Sequence, residues 1–248
     1  MMKSAALIIS GLLFLSFMTF QNKKTKIFLA GDSTMAIKDT RAYPETGWGM
    51  PFVYFWDSTV QVVNLAKNGR STKSFISEGL WNQILNNVET DDYVFIQFGH
   101  NDEVSTKKTY TTEIEFKTNL TKFVTEARAK GAQPVLLTPV ARRKFDLSGK
   151  IEGTHEVYSQ IVRDVAMLEK VPLIDLDKKA QELYQQLGDE NSKLLFMHLK
   201  PGEHPNYPKG KIDDTHFNEL GARLIAEIVW KDIKTQLPQL AARASKKS

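Results

Sequence analysis

Five short apolar and β-branched runs, separated by amphipathic stretches, constrain the fold of this chain more than any other feature. They are Lys26–Ala30, Val60–Ala66, Tyr93–Phe98, Pro134–Thr138 and Pro172–Asp175. Most lack the alternation of a strand with one wet face. A continuous apolar run fits a strand covered on both sides. The gaps carry helical periodicity, clearest in Glu113–Ala129 and His155–Glu169. In the first, Ile114, Leu120, Phe123, Val124 and Ala127 are spaced to form one stripe, with Gly131 as terminator. A last helix, from about Glu219 to Lys234, repeats the pattern with Leu220, Leu224, Ile225, Ile228 and Val229. This alternation predicts right-handed crossovers and an α/β fold, a three-layer α/β/α sandwich with a five-stranded parallel sheet. In open α/β sheets, ligands bind beyond the carboxyl ends of the strands.

The 248 residues show no internal repeat and no linker, so one domain is expected over residues 21–240. Gly149-Lys150-Ile151-Glu152-Gly153 reads as a surface loop, and residues 241–248 as a frayed tail. With no cysteine, disulfides, thiolate catalysis and Cys-based zinc sites are excluded. There is no H-E-x-x-H either, and neither a metal nor an organic cofactor is expected. A net charge of +4 without basic runs interleaved with aromatics argues against nucleic acid and is compatible with an acidic polymer. Residues 1–20 carry Lys3 and then an almost wholly apolar stretch, followed by polar Gln21-Asn22-Lys23-Lys24. That pattern predicts a signal peptide and export to the periplasm or the extracellular space. Membrane contact is expected only through this leader, if uncleaved.

Polar clusters follow three of the strands. Ser33, in Gly31-Asp32-Ser33-Thr34, stands just past the first, where a helix start would favour developing negative charge. The same residues also suit a helix cap. Gly69, after Asn68, lets a backbone N–H approach a substrate oxygen. Gly99-His100-Asn101-Asp102 follows the third strand; the Asn101 amide can donate to an oxyanion, and Asp102 can cap a helix. Near the end, Asp213-Asp214-Thr215-His216 precedes the last helical pattern. His216 is a candidate base for Ser33. Its orienting carboxylate is Asp213 or Asp214; on a turn entering a helix, the acceptor three residues back folds under the ring, which favours Asp213.

Taken together, Gly31-Asp32-Ser33, Gly69, Gly99-His100-Asn101-Asp102 and Asp213-x-x-His216 resemble the four blocks of the SGNH (GDSL-type) hydrolases. The resemblance covers nearly the whole chain after the leader. It implies a flavodoxin-like fold, Ser33 as nucleophile and His216 as base. It also implies an oxyanion hole of the Ser33 and Gly69 N–H groups with the Asn101 side chain. Pro44-Glu45-Thr46-Gly47-Trp48-Gly49, Thr138-Pro139-Val140-Ala141-Arg142-Arg143 and the segment Lys200 to Pro208 are similar to those of the rhamnogalacturonan acetylesterases. That narrower resemblance implies removal of acetyl groups from pectic polysaccharide; related members act on xylan and other carbohydrates. Substrate contacts are then expected from Trp48, as a flat face for sugar, and from Arg142 and Arg143, as partners of galacturonate carboxylates. His204 is expected to line the groove. The competing expectations are a lipid esterase or acyltransferase with the same serine, and a carbohydrate-binding protein without turnover.

Overall fold

A computed structural model describes residues 23–246. The leader expected at 1–20 lies outside them. Five strands form a parallel sheet in the order β2-β1-β3-β4-β5. They are β1 (Thr25–Gly31), β2 (Val60–Asn64), β3 (Tyr93–Gln97), β4 (Gln133–Leu137) and β5 (Leu173–Ile174). The five apolar runs are these five strands, with ends shifted by one or two residues.

The central strands β1, β3 and β4 are buried on both faces, which explains their continuous apolar runs. From β1, Ile27 and Leu29 enter one core while Phe28 and Ala30 enter the other. In β4, Val135 and Leu137 face the first core and Leu136 the second. Helices α1 (Thr72–Ser77), α2 (Leu80–Asn87), α3 (Glu113–Ala129) and α4 (Glu156–Glu169) cover the second face. Helices α5 (Leu176–Ser192) and α6 (Glu219–Gln236) cover the first, together with a 3-10 turn at Pro51–Phe55. Each fully buried Leu, Ile or Phe contributes about 1.5–3 kcal/mol, so each layer is held on by its apolar stripe.

The stripes differ from expectation at their first positions. Ile114 is 81% exposed and Phe116 is buried in its place. Leu220 is likewise exposed, while Ala222, Ile225, Ala226 and Val229 form the buried face of α6. In the first turn the buried sector is set by the direction in which the chain enters, which spacing alone does not report. Thr112 caps α3 through a reciprocal box with Glu115.

A two-stranded antiparallel hairpin, β6 (Phe196–Leu199) with β7 (Lys211–Phe217), stands apart from the parallel sheet. It was not foreseen from the sequence. The described part of the tail expected to fray, up to residue 246, is tied down: a short helix α7 (Pro238–Ala241) is followed by Ala244 bridging Trp56 and Ser245 N–H donating to Phe55 O.

Candidate active site

The sheet order changes direction between β2, β1 and β3, and the segments after these three strands carry Gly69, Ser33 and Asn101. A crevice at such a switch point is where open α/β sheets bind ligands. Gly31 ends β1, and Ser33 follows on a tight turn in which Met35 N and Ala36 N donate to Asp32 O. No helix starts there. The turn is instead held from below: Trp48 Nε1 donates to Gln97 Oε1 (2.7 Å), Gln97 Nε2 to Thr34 Oγ1 (2.6 Å), and Thr34 Oγ1 to Asp32 Oδ1 (2.8 Å). Trp48 N–H also donates to Thr34 O. Gly47 permits this approach, since a Cβ there would sit 2.1 Å from Ala36 O.

Trp48 is therefore fully buried and braces the turn that carries Ser33. Its ring has no open face for a sugar, which corrects the contact expected for it. The same segment reaches the hairpin through Thr46 N–H donating to Phe217 O.

His216 lies on β7 rather than on a turn into a helix. Between the pairs Met197↔Asp213 and Phe196↔Phe217 the register slips, so Asp214, Thr215 and His216 bulge out. Such bulges re-aim a side chain. Asp213 Oδ1 shapes this one by accepting from Thr215 N (2.8 Å) and His216 N (3.0 Å). Its Oδ2 then meets His216 Nδ1 at 2.8 Å, and His216 Nε2 lies 3.0 Å from Ser33 Oγ. The expected geometry, an acceptor three residues back under the ring, occurs in a strand bulge because the aspartate makes its own turn. α6 anchors the bulge from below: Asn218 Oδ1 accepts from Gly221 N, and its Nδ2 donates to Leu194 O and Phe196 O.

Asp214 points elsewhere. Its Oδ1 lies 2.8 Å from both Arg143 Nη1 and His198 Nε2. Arg143 is buried, and its other donors go to Ser192 Oγ and to Asp189. It pins the hairpin to the end of α5 and has no face open to a uronate, contrary to expectation. Arg142 is different. It is about 30% exposed, and its Nη1 donates to Thr215 Oγ1 (2.7 Å) inside the bulge. Its Nη2 reaches His100 O (3.4 Å) and Glu103 Oε1 (3.5 Å). His204 is half-buried in the 200–210 loop, tilted against exposed Tyr43 at 5.5 Å.

On the oxyanion side, Gly69 has φ +77° with open space around its Cα. Among the described residues no partner engages the backbone N–H of Ser33 or Gly69. Asn101 is buried and held at both ends: Nδ2 donates to Arg70 O (3.1 Å) and Oδ1 accepts from Lys107 Nζ (2.9 Å). Its second amide N–H is left for another acceptor. Asp102 does cap a helix, but from across the fold, its Oδ1 accepting from Thr72 N and Thr72 Oγ1 at the start of α1.

The electrostatics of the two halves differ. Burial works to raise the Asp213 carboxyl, yet the hydrogen bond and charge of His216 outweigh it and hold the group well below the ordinary carboxylate range. Lys211 adds a cation 3.2 Å from Asp213 Oδ2. In the segments after β1 and β3, burial raises Asp32, raises Asp102 to about 7 and drives His100 well below its usual value. Sequence reasoning missed Lys38, Glu45, Lys107 and Lys211. All four are charged residues in loops or at a strand start, where no periodicity marks them. Among the described residues no cluster of His, Asp or Glu is arranged to hold a metal. A surface cleft of about 820 Å³ lies elsewhere, lined by Arg163, Asp175 and Asp177, charges already paired with one another.

A serine on a turn at the carboxyl edge of a parallel sheet, within hydrogen-bond reach of a histidine backed by a carboxylate, is an arrangement suited to ester hydrolysis, and carboxylic-ester hydrolase is the class that comparison with known proteins gives. The chain belongs to the GDSL-like lipase/acylhydrolase family, whose model matches residues 29–224. It is 44% identical over 213 residues to the rhamnogalacturonan acetylesterase RhgT of Bacillus subtilis (strain 168), covering 86% of this chain and 90% of that one. It is 36% identical to the probable rhamnogalacturonan acetylesterase YesY of the same strain, covering 84% and 92%. Among solved structures, the YxiM protein of Bacillus subtilis superposes with a TM-score of 0.75 at 28% identity, over 86% of this chain and 57% of that one.

Proposed function

We propose that this protein is a carbohydrate esterase that removes O-acetyl groups from an acidic, acetylated polysaccharide of the pectic rhamnogalacturonan type. The observation that carries the reading is the continuous Ser33–His216–Asp213 hydrogen-bond line, 3.0 Å and then 2.8 Å long. In this reading Ser33 Oγ attacks the acetyl carbonyl carbon as His216 Nε2 takes its proton. The oxyanion accepts from Ser33 N–H, Gly69 N–H and Asn101 Nδ2, a set of donors preorganised by the sheet edge. His216 then protonates the departing sugar oxygen, leaving acetyl-Ser33. A water, losing its proton to His216, attacks that ester; acetate leaves and Ser33 recovers the proton. Asp213 stays ionised and stabilises the imidazolium.

The relatives' acetylesterase names support the acetyl group and the pectic substrate. Arg142 supports an acidic one: a partly exposed guanidinium reaches the bulge that holds His216, where it can meet a uronate carboxylate. His204 and Tyr43, at the rim, supply ring faces for sugar. Export through the leader at 1–20, which brings the enzyme to its polymer, is part of the proposal.

The test is acetate release from acetylated rhamnogalacturonan, acetylated xylan, neutral acetyl-sugars and long-chain esters. The pectic polymer is expected to give the highest kcat/KM. Arg142→Ala should lower kcat/KM on acidic oligosaccharides about tenfold and on neutral ones much less, as loss of one charge-assisted contact predicts. Equal losses would remove Arg142 from the proposal. Preference for xylan or for long acyl chains would replace the substrate.

A further inference from the structure

Glu45 is a buried carboxylate with a cation on each oxygen. Lys38 Nζ lies 2.8 Å from Oε1 and Lys211 Nζ 3.0 Å from Oε2. The Lys38 side chain is itself only 2% exposed. Burial opposes every one of these charges, so the trio persists only because its members pair with one another. Burial lowers Lys38; for Glu45 and Lys211 it is overcome, Glu45 being held down by Lys38 and Lys211 kept up by Glu45 and Asp213.

Each end of the trio leads into the candidate active site. Lys211 Nζ is also 3.2 Å from Asp213 Oδ2, the atom that faces His216 Nδ1. Lys38 Nζ donates to Asn68 Oδ1 at 2.9 Å, on the residue before Gly69. Charges alternate along the line Lys38, Glu45, Lys211, Asp213 and sum to zero when His216 is neutral. The Tyr207 ring lies 5.3 Å from Lys211 Nζ, and Tyr207 O–H donates to Ala42 O (2.8 Å), which limits where the ammonium can go.

A lysine on this carboxylate has two effects. It fixes Oδ2 in line with the imidazole, and it draws off part of the negative potential that would stabilise the imidazolium. Glu45 offsets the second effect. We propose that Lys211 is a positioning residue for ester hydrolysis, buttressed by Glu45 and Lys38, which together hold Asp213 under His216 and tie it to the segment carrying Gly69. The proposal rests on the roles given above to Ser33, Asp213 and His216. His100, after β3, also feels the charge of His216, and Arg142 reaches the bulge through Thr215. No hydrogen bond or ion pair links either to Lys211 among the described residues, so substitutions at 211 leave both in place.

The experiment is the pH profile of kcat and KM for the full chain on 4-nitrophenyl acetate, with Lys211→Met, Lys211→Arg, Glu45→Gln and Ser33→Ala. Lys211→Met should lose about tenfold or more in kcat with KM changed by less than about twofold, the pattern of a lost alignment. Its acid limb in kcat/KM should move to higher pH, because a cation no longer opposes the imidazolium. Lys211→Arg should restore most of kcat and return the limb, and Glu45→Gln should move the limb to lower pH. A Lys211→Met enzyme with the parent's kcat and acid limb overturns the proposal. So does one that is slow with an unmoved limb and no recovery in Lys211→Arg, which marks a packing role only. Turnover in Ser33→Ala would instead bring down the reading on which this one rests.

Discussion

The two halves of the candidate site are built from different materials. The Ser33 half sits at the carboxyl edge of the parallel sheet, and its turn is held by backbone contacts and by Trp48, Gln97 and Thr34 under the Asp32 carboxylate. The base half sits on a separate hairpin and is held by charges: Lys211 and Glu45 on one side of Asp213, Arg143 on Asp214. Neutral hydrogen bonds inside a core are nearly indifferent to pH and salt. Ion pairs at a partly exposed strand are sensitive to both. Salt should therefore act mainly on the hairpin, whereas pH reaches both halves, through Asp213 in the hairpin and through buried Asp102 after β3.

The strongest way to separate the halves is to remove the reacting atom and leave its support. Ser33→Ala takes away only Oγ; turnover should fall by about 10⁴-fold or more while the thermal midpoint stays near the parent's. Substantial remaining activity would mean that the nucleophile lies elsewhere. Next in size comes the contrast of the two neighbouring aspartates. Asp213→Asn should cost about 10³- to 10⁴-fold in kcat, because the amide no longer holds the imidazole in the working tautomer. Asp214→Asn should lower the thermal midpoint, by loosening Arg143, and change kcat by less than about tenfold. A reversed pair of results would exchange their roles.

The smallest effect is the most diagnostic of the contrast. Asp213 is depressed in the folded state, so it stabilises the fold above about pH 4 and loses that contribution as pH falls through its lowered value. Asp102, in the Ser33 half, is raised to about 7 by burial. The folded state then binds the extra proton between about pH 4 and pH 7, and the contribution of Asp102 to stability declines as pH rises through that window. Thermal midpoints measured from pH 3 to pH 8 should show opposite slopes. The deficit of Asp213→Asn should shrink towards acid, and Asp102→Asn should gain on the parent towards neutral pH. Parallel curves would mean that the halves do not differ in this way.

Much of the fold was legible because its cause is local. A strand buried on both faces needs an unbroken apolar run, and Tyr93–Gln97 or Gln133–Leu137 can be seen without any partner. Ser33, Gly69 and Asn101 were legible for a related reason, since each follows such a run directly. The hairpin was not. Strand β7 reads Lys-Ile-Asp-Asp-Thr-His-Phe, polar in most positions, because one of its jobs is to hold charges. Trp48 and Arg143 were misread for the same reason: a ring or a guanidinium has the same chemistry buried or exposed.

The sequence by itself determined the layers, the strand that presents Ser33 and the three-residue spacing of Asp213 and His216. These follow from apolar periodicity and from the reach of one side chain, and both are properties of neighbours along the chain. Only the tertiary structure decided that Asp214 is taken up by Arg143, that Arg143 is a strut while Arg142 stays partly exposed, and that Lys38, Glu45 and Lys211 join the site's two halves. Those outcomes depend on which polar group meets which across 30 to more than 160 positions of sequence, Asn68 with Lys38 and Lys211 with Glu45. Long-range pairing of buried charges is specified by the packed fold, where low solvent access makes each partner obligatory.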